Sequence, residues 1–529
     1  MRNLLTDTTD VKQHALASVS LTIVVLLATT VFPRLMVIGG LPTTDEGFYA
    51  FQSQLIHANL AAGRGLPDAG TLMIYPLLLS WVFEFSVNHM ILLRMADLFI
   101  AVAASWVLYR VIARESGSRT GGILISVVFL FTMNQPAFVQ CGLKNSIFAA
   151  FVPLFLALRI GQHAASDARV AWGFAGALAA TAVLLRETFL PFLIIGALAI
   201  VMAHGWRACL RFTLGAAVAG LLVTLGIVVA RGGVATLIES YRDAGVVYAS
   251  LADQRVKYFV TSGSLSAKEA AVALIFGGLG IIAIVNGFFT SNHTATPRRF
   301  AFWLSITLAP LLEPVSKIGL PYHFAVCLPG LAGLAAVGWK SVANGRNASI
   351  GLRLAAIAAA IGVLILVPKV IALTNSWPAT RNALQSAGTG TWPRDAVVQS
   401  NYLLAAETIR RVATPNSTLS VSGFMYALYP LTGLLPPSND LSNLSATLIK
   451  LDLDGMRFRQ ALLACPPDLL MTTTRTDWPG ADTLAKAVAD TGSYEQVATI
   501  PVSLDKSYGS FGGTVYRRID QSHSRGSNK

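Results

Sequence analysis

Apolar stretches of about 20 residues recur along this chain, and each is long enough to cross the hydrocarbon core of a bilayer as a helix. "HMILLRMADLFIAVAASWVLYRV" from His89 and "FTLGAAVAGLLVTLGIVVA" from Phe212 are two of them. The reading places about eleven membrane helices, at roughly 16–40, 89–113, 121–138, 143–161, 170–186, 188–204, 209–230, 270–290, 299–316, 321–340 and 352–373. Composition agrees: only 13% of the 529 residues are charged, against about 25% in ordinary soluble proteins. The first helix is too long for a removable signal peptide and lacks an A-x-A exit, so it reads as an uncleaved anchor. The expected fold class is a mainly α polytopic membrane protein with a small C-terminal α/β extracytoplasmic domain.

Loop charge sets the orientation. With the N-terminus in the cytoplasm, the inner segments carry Arg2 and Lys12, Arg114 and Arg119, Arg159 and Arg169, Arg207 and Arg211, Arg298 and Arg299, then Lys340, Arg346 and Arg353. The short outer connections carry isolated cations: Arg64, Lys144, Arg186 and Lys317. The net charge of +13 therefore does not point to nucleic acid. Residues 375–529 hold 14 Lys and Arg against 12 Asp and Glu, so most of the surplus sits among the membrane helices. Four cysteines are scattered without pair spacing, and neither a disulfide framework nor a zinc site is readable.

The outer face carries the features that suggest chemistry. "GGLPTTDEGFYAFQ" places Asp45 and Glu46 just after the first helix. Thr43 and Glu46 have the spacing of a capping box, which accounts for Glu46 better than for Asp45. The following segment puts Phe48, Phe51, Leu55, Ala58 and Ala62 on one face, as an interfacial helix would. Arg94, Lys144, Arg186 and Lys317 fall near the outer ends of helices, where charges are costly unless they snorkel, pair or line a polar cavity. Any one could be snorkelling; together with the acid pair they suggest an anionic ligand. Lys317, Tyr322 and His323 share the mouth of one helix and would make a phosphate seat. In the outer loop 231–269, Tyr241, Tyr248 and Tyr258 alternate with Arg242, Arg255 and Lys257, the pattern either of a solvated surface helix or of a lid.

After about residue 375 the texture changes. "AAETIRRVA" and "LAKAVADTG" read as helices, while "STLSVSG", "DLLMTTT" and "GTVYRR" read as strands. The domains are thus 1–374, with outer loops 45–88 and 231–269, and 375–529.

These residues resemble a family. The acid pair is similar to the first-loop motif of the GT-C glycosyltransferases, which include the protein O-mannosyltransferases and the transferase that adds aminoarabinose to lipid A. "YPLLLSWVFEFSVNHMILLRMADLFIAVAASWVLYRV" resembles their juxtamembrane stretch followed by an Arg-led helix, and "SKIGLPYHFAVCLPGLAGLAA" their Lys…His/Tyr…Leu-Pro stretch. The resemblance covers roughly residues 40–340. It departs at Tyr75-Pro76, where many relatives have Pro-Pro, at Met95-Ala96-Asp97, where they have Leu-Pro-Ser, and at Lys144-Asn145, where many carry an Asp.

The resemblance implies a polyprenyl-phosphate-linked sugar as donor, a glycan, lipid or protein acceptor, membrane lipids as surroundings and no nucleic acid. It implies Asp45 as the base, with Glu46 orienting it or the acceptor. Arg94, Lys144, Arg186, Lys317, Tyr322 and His323 would then face the donor phosphate, and Tyr241, Tyr248, Arg255 and Tyr258 the lid or acceptor. No cofactor is expected, since the cations can supply the charge; the alternative is a divalent cation held by Asp45 and Glu46. Two rival functions share these elements: a ligase or oligosaccharyltransferase moving a whole lipid-linked glycan, and a secondary transporter, whose charges would lie at mid-membrane.

Overall fold

Helices satisfy their own backbone polar groups, which is why a chain this apolar crosses a bilayer as helices. The computed structural model describes residues 3–40, 42–67, 74–85, 88–139, 146–235, 237–238, 241–242, 255–290, 295–316, 320–343, 366–386, 392, 400–421, 425–437, 460, 463–473, 491–501 and 512–519. Within these, the side chains of 3–19, Thr44, Asp45, Arg255, 286–296, Ser316, Ala343 and Ser386 lie outside the description.

The membrane part runs α1 (Asn3–Val37), α2 (Thr44–Ala61), α3 (Ile74–Leu79), α4 (His89–Ser116), α5 (Arg119–Met133), α6 (Pro136–Val139), α7 (Ile147–Gly161), α8 (Arg169–Leu185), α9 (Leu190–His204) and α10 (Trp206–Ala230). It continues with α11 (Arg255–Glu269), α12 (Ala271–Thr290), α13 (Ala295–Leu308), α14 (Leu312–Ser316), α15 (Pro321–Phe324) and α16 (Leu328–Ala343). Among the described residues, five helices are long and apolar enough to span a bilayer. The bent pair α11 and α12, at 82° to each other, makes a sixth if counted as one span. The chain is a multi-pass membrane protein. The expected count of about eleven is larger because α5, α7 and α8 have only 15, 15 and 17 residues. At 1.5 Å per residue they reach about 22–26 Å, short of a hydrocarbon core of about 30 Å. Most of the expected helix at 352–373 lies outside the described residues.

Proline explains where expected helices break. The run read as 299–316 is helical to Leu308, turns through a 3-10 segment containing Pro310, and restarts as α14. The run read as 121–138 stops at Met133 and resumes at Pro136, the first position of α6. Proline is well tolerated at a helix start and poorly inside one.

Two apolar cores organise the molecule. One fills the space between α4, α5, α7, α12, α13 and α16 and includes Phe129, Phe151, Trp303 and Leu334. Glycine lets α12 and α16 touch: a Cβ on Gly338 would fall 2.4 Å from the Cα of Gly280. The outer sides of α9 and α10, with Leu198, Leu221 and Val229 more than half exposed, are left for lipid.

The second core joins residues of α2, α3 and the start of α4 to residues 383–515. The later region contributes α17 (Trp377–Ser386), α18 (Asn401–Val412), α19 (Leu428–Thr432) and a four-stranded sheet. Its strands are β1 (Leu419–Val421), β2 (Leu469–Thr473), β3 (Tyr494–Ile500) and β4 (Gly513–Arg518), in the order β1-β2-β4-β3. β1 and β2 are parallel and the other pairs antiparallel, with Met471 opposite Val515. The helix expected over "LAKAVADTG" falls outside the described residues.

This shared core corrects the reading of α2 as an interfacial helix. Phe51 is 1% and Leu55 4% exposed, because Phe51 stacks on Tyr429 at 4.2 Å and on Tyr426 at 5.5 Å. Gly47 permits the approach, since a Cβ there would lie 2.5 Å from the backbone nitrogen of Ala427. At Phe51 and Leu55 the apolar face of α2 is covered by protein and not by lipid.

Candidate functional site

The first turn of α2 carries the acid pair. Thr43 precedes it in extended conformation, and its backbone N–H donates to Glu46 Oε2 at 3.3 Å, one half of the expected capping box. Glu46 is buried and also takes the guanidinium of Arg94: Nη2 donates to Oε2 at 2.7 Å and Nε donates to Oε1. Arg94 Nη1 donates to the carbonyls of Ile38 at 2.5 Å and Gly40 at 2.7 Å. A bidentate pair with additional carbonyl partners is the arrangement that tolerates burial.

Two of the expected site residues are thus engaged with each other. Arg94, expected at the donor phosphate, is 1% exposed and held by Glu46 and two carbonyls. Its bonds to those carbonyls hold the loop between α1 and α2. Both carboxylate oxygens of Glu46 accept from Arg94, so Glu46 anchors the turn that contains Asp45. Asp45 occupies that first turn, and its side chain is outside the description.

A second buried pair lies three residues along α4, on the same face. Arg34 donates from Nη1 to Asp97 Oδ2 and from Nε to Asn134 Oδ1 at 2.5 Å. The hydroxyl of Tyr75 donates to Asp97 Oδ1 at 2.5 Å. The Arg34 guanidinium also lies over the Phe148 ring at 4.2 Å. Arg34, Tyr75, Asp97 and Asn134 are each no more than 2% exposed. This network ties α1, α3, α4 and the end of α5 together beneath the acid-bearing loop. It occupies Tyr75 and Asp97, two positions at which the chain departs from the family pattern.

Arg186 and His323 converge on a residue that the sequence reading did not single out. Arg186 follows α8 in extended conformation and is 6% exposed. It grips Glu313 with two nitrogens: Nε donates to Oε2 at 3.3 Å and Nη2 donates to Oε1. The hydroxyl of Thr188 donates to Glu313 Oε2 at 2.8 Å, and His323 Nε2 stands 3.7 Å from Oε1. His323 Nδ1 accepts from the Leu320 backbone N–H at 3.2 Å. A neutral imidazole therefore carries its proton on Nε2, the nitrogen that faces Glu313. The 3-10 segment containing Pro310 interrupts the helix just before Glu313, which lies in the first turn of α14 with its carboxylate against the end of α8. Tyr322 packs edge-on against His323 at 4.2 Å. Tyr49, one turn after Asp45 on α2, and Tyr322 both lie within electrostatic reach of Arg186. The acid-bearing helix and the cation cluster are thus neighbours.

Among the described residues Glu313 is the partner of Arg186 Nε and Nη2, and Nη1 is left without a side-chain or backbone acceptor. Glu313 therefore orients one edge of the guanidinium. Lys144 and Lys317 lie outside the described residues. In the outer loop, the Tyr241 hydroxyl donates to Glu187 Oε1 at 2.8 Å, tying residues 241–242 to the α8–α9 junction. Burial, and then the Glu187 charge, push that hydroxyl well above the ordinary tyrosine range. Helix α11 packs near the His323 turn, with Phe259 and Phe324 at 5.5 Å and Ser266 Oγ donating to the Pro321 carbonyl at 3.3 Å. Tyr258 is on α11 and exposed; Arg255 begins α11 with its side chain outside the description, and Tyr248 is outside the described residues.

Two solved structures share this architecture. ArnT from Cupriavidus metallidurans bound to undecaprenyl phosphate superposes with a TM-score of 0.53 over 95% of this chain and 98% of its own, at 14% identity. This chain has the fold of that structure. The apo oligosaccharyltransferase of Archaeoglobus fulgidus gives a TM-score of 0.50 over 87% of this chain and 69% of its own, at 12% identity. No protein-family model and no curated protein sequence matches the chain.

Proposed function

We propose that this GT-C-fold protein is a membrane glycosyltransferase that moves one sugar from a polyprenyl phosphate to an acceptor hydroxyl. The observation that carries the reading is the convergence of Arg186 and His323 on Glu313, beside the helix whose first turn contains Asp45. The lipid tail lies among the helices and its phosphate meets the free edge of Arg186, with His323, Tyr322, Lys317 and Lys144 completing the seat. As the glycosidic bond breaks, the leaving phosphate gains negative charge and the sugar becomes oxocarbenium-like. Prepositioned cations in a site of reduced dielectric stabilise that charge without reorganising.

Asp45 is the base that takes the acceptor proton, worth about 10²–10⁴-fold in rate. A single in-line displacement inverts the anomeric centre. Tyr241, hydrogen-bonded to Glu187, anchors the outer loop as a lid over the donor. The protein lies in a bacterial plasma membrane with its N-terminus in the cytoplasm and residues 375–529 outside. Near-complete mutual coverage with ArnT, a structure bound to undecaprenyl phosphate, supports a lipid-monophosphate donor over a lipid-linked glycan. The test is to incubate purified protein with a panel of polyprenyl-phosphate sugars, alongside pyrophosphate-linked glycans. Turnover of one monophosphate-linked sugar is expected; turnover confined to pyrophosphate-linked glycans would replace this reading with whole-glycan transfer.

A further inference from the structure

A second charge cluster sits at the opposite ends of the same helices. Arg94 and Arg114 are 20 positions apart on α4, which at 1.5 Å per residue separates them by about 30 Å, the thickness of a hydrocarbon core. Around Arg114 gather Arg110, one turn earlier on α4, Arg159 near the end of α7, and His163 just beyond it. Arg114 Nη1 lies against the His163 ring, 2.9 Å from Nδ1 and 3.1 Å from Nε2. Arg159 Nη1 reaches only the Gln162 side-chain oxygen, at 3.4 Å. The neighbouring carboxylate, Glu115, accepts from Gln162 Nε2 at 2.7 Å and stands 3.9 Å from Arg299. Among the described residues, none of Arg110, Arg114 and Arg159 has a carboxylate partner.

Beside the cluster a groove of about 380 Å³ opens between Arg159, Ile160 and His163 on one side and Ala164, Ala165 and Ala168 on the other. Four of its lining residues are alanines, Ala171 of α8 among them, and on α8 the apolar Val170 and Phe174 are 85% and 57% exposed. Like charges held this close repel, and the repulsion is relieved by an anion placed among them. An adjoining apolar channel suits an anion that carries hydrocarbon. The loop-charge reading gives this end to the cytoplasm, where the leaflet is rich in anionic lipid and basic pockets between helices take phosphate headgroups.

We propose that Arg110, Arg114, Arg159 and His163 hold the phosphate of an anionic glycerophospholipid, whose acyl chain lies along the alanine groove, on the membrane face opposite the sugar-transfer site. Desolvation, and then the charges of Arg159, Arg114 and Arg110, hold the His163 imidazole below its usual range. A bound phosphate offsets part of that positive charge and raises it.

The test uses the full-length protein in detergent, titrated with phosphatidylglycerol, phosphatidylcholine and inorganic phosphate, with bound lipid counted by native mass spectrometry. Phosphatidylglycerol is expected to bind in preference to phosphatidylcholine. At about fivefold per basic residue, the triple variant R110Q/R114Q/R159Q loses about a hundredfold in that affinity. Should the triple variant not fold, each single Arg→Gln variant is read for its own fivefold loss. Ala168→Trp fills the groove and leaves every charge; it is expected to weaken the lipid alone. The His163 resonance should titrate at higher pH with phosphatidylglycerol bound. Equal binding of the two lipids, unchanged phosphatidylglycerol binding in the Arg variants, or displacement of the lipid by equimolar inorganic phosphate would each overturn the proposal.

Discussion

Arg94 distinguishes a ligand-binding cation from one that shapes the loop, and a double-mutant cycle with Glu46 separates the two. The side chains of Arg94 and Glu46 are 0% and 2% exposed. Removing one partner of such a pair leaves the other charge buried and costs about 3–5 kcal/mol. Arg94→Ala also strips the donor from the carbonyls of Ile38 and Gly40. Arg94→Ala and Glu46→Ala should therefore each lower stability by about 3–5 kcal/mol. The double variant should show a coupling of about 2–3 kcal/mol, since the second removal takes away a charge that the first had already stranded. Reversible unfolding in mixed micelles measures the cycle, and donor affinity is measured separately on the folded fraction. An Arg94→Ala protein within about 0.5 kcal/mol of the parent, with donor affinity selectively weakened, would refute the argument and return Arg94 to the phosphate.

Asp45→Asn should abolish transfer, by about 10²–10⁴-fold, while the protein stays folded and still binds donor; near-normal turnover would remove Asp45 from the mechanism. Asp97→Ala strands Arg34 among buried groups and should cost about 3–5 kcal/mol; unchanged stability in denaturant titration would show that the Arg34 network bears no weight. Glu313→Gln keeps the Thr188 contact but loses the charged grip on Arg186. It should weaken donor binding and, by stranding the buried Arg186 charge, lower stability by about 3–5 kcal/mol, measured by donor titration and denaturant unfolding; tighter donor binding would contradict the orienting role of Glu313. Tyr241→Phe deletes the hydroxyl bonded to Glu187 and should raise exchange or proteolysis at residues 231–269 while preserving the fold; unaltered protection there would separate Tyr241 from any lid.

The membrane character and the acid-bearing turn were legible because both depend on local pattern: runs of apolar residues, and Thr43 three positions before Glu46. The strands over "STLSVSG", "DLLMTTT" and "GTVYRR" were legible for the same reason. Pairing was not. Arg94 and Glu46 are 48 positions apart, and Arg186 and Glu313 are 127 apart, so no spacing rule joins them. Glu313 did leave a signal in "LAPLLEPVSKIG", a carboxylate in an apolar run between two prolines, where an unpaired charge would be costly. The amphipathic face of α2 was correctly seen as buried but wrongly given to lipid, because periodicity shows that a face is apolar and not what covers it. Its cover, Tyr426 and Tyr429, lies more than 370 positions away.

The affinity of the folded protein for undecaprenyl phosphate, measured on the parent and on Arg186→Ala, tests the assigned phosphate seat most directly. Loss of a charge-assisted contact worth about 1.5–3 kcal/mol should weaken binding by about 10–150-fold with Asp45→Asn binding as the parent does. Equal affinity of the parent and Arg186→Ala would mean that the lipid phosphate rests elsewhere, and the sugar-transfer site built around Arg186, Glu313 and His323 would fall with it.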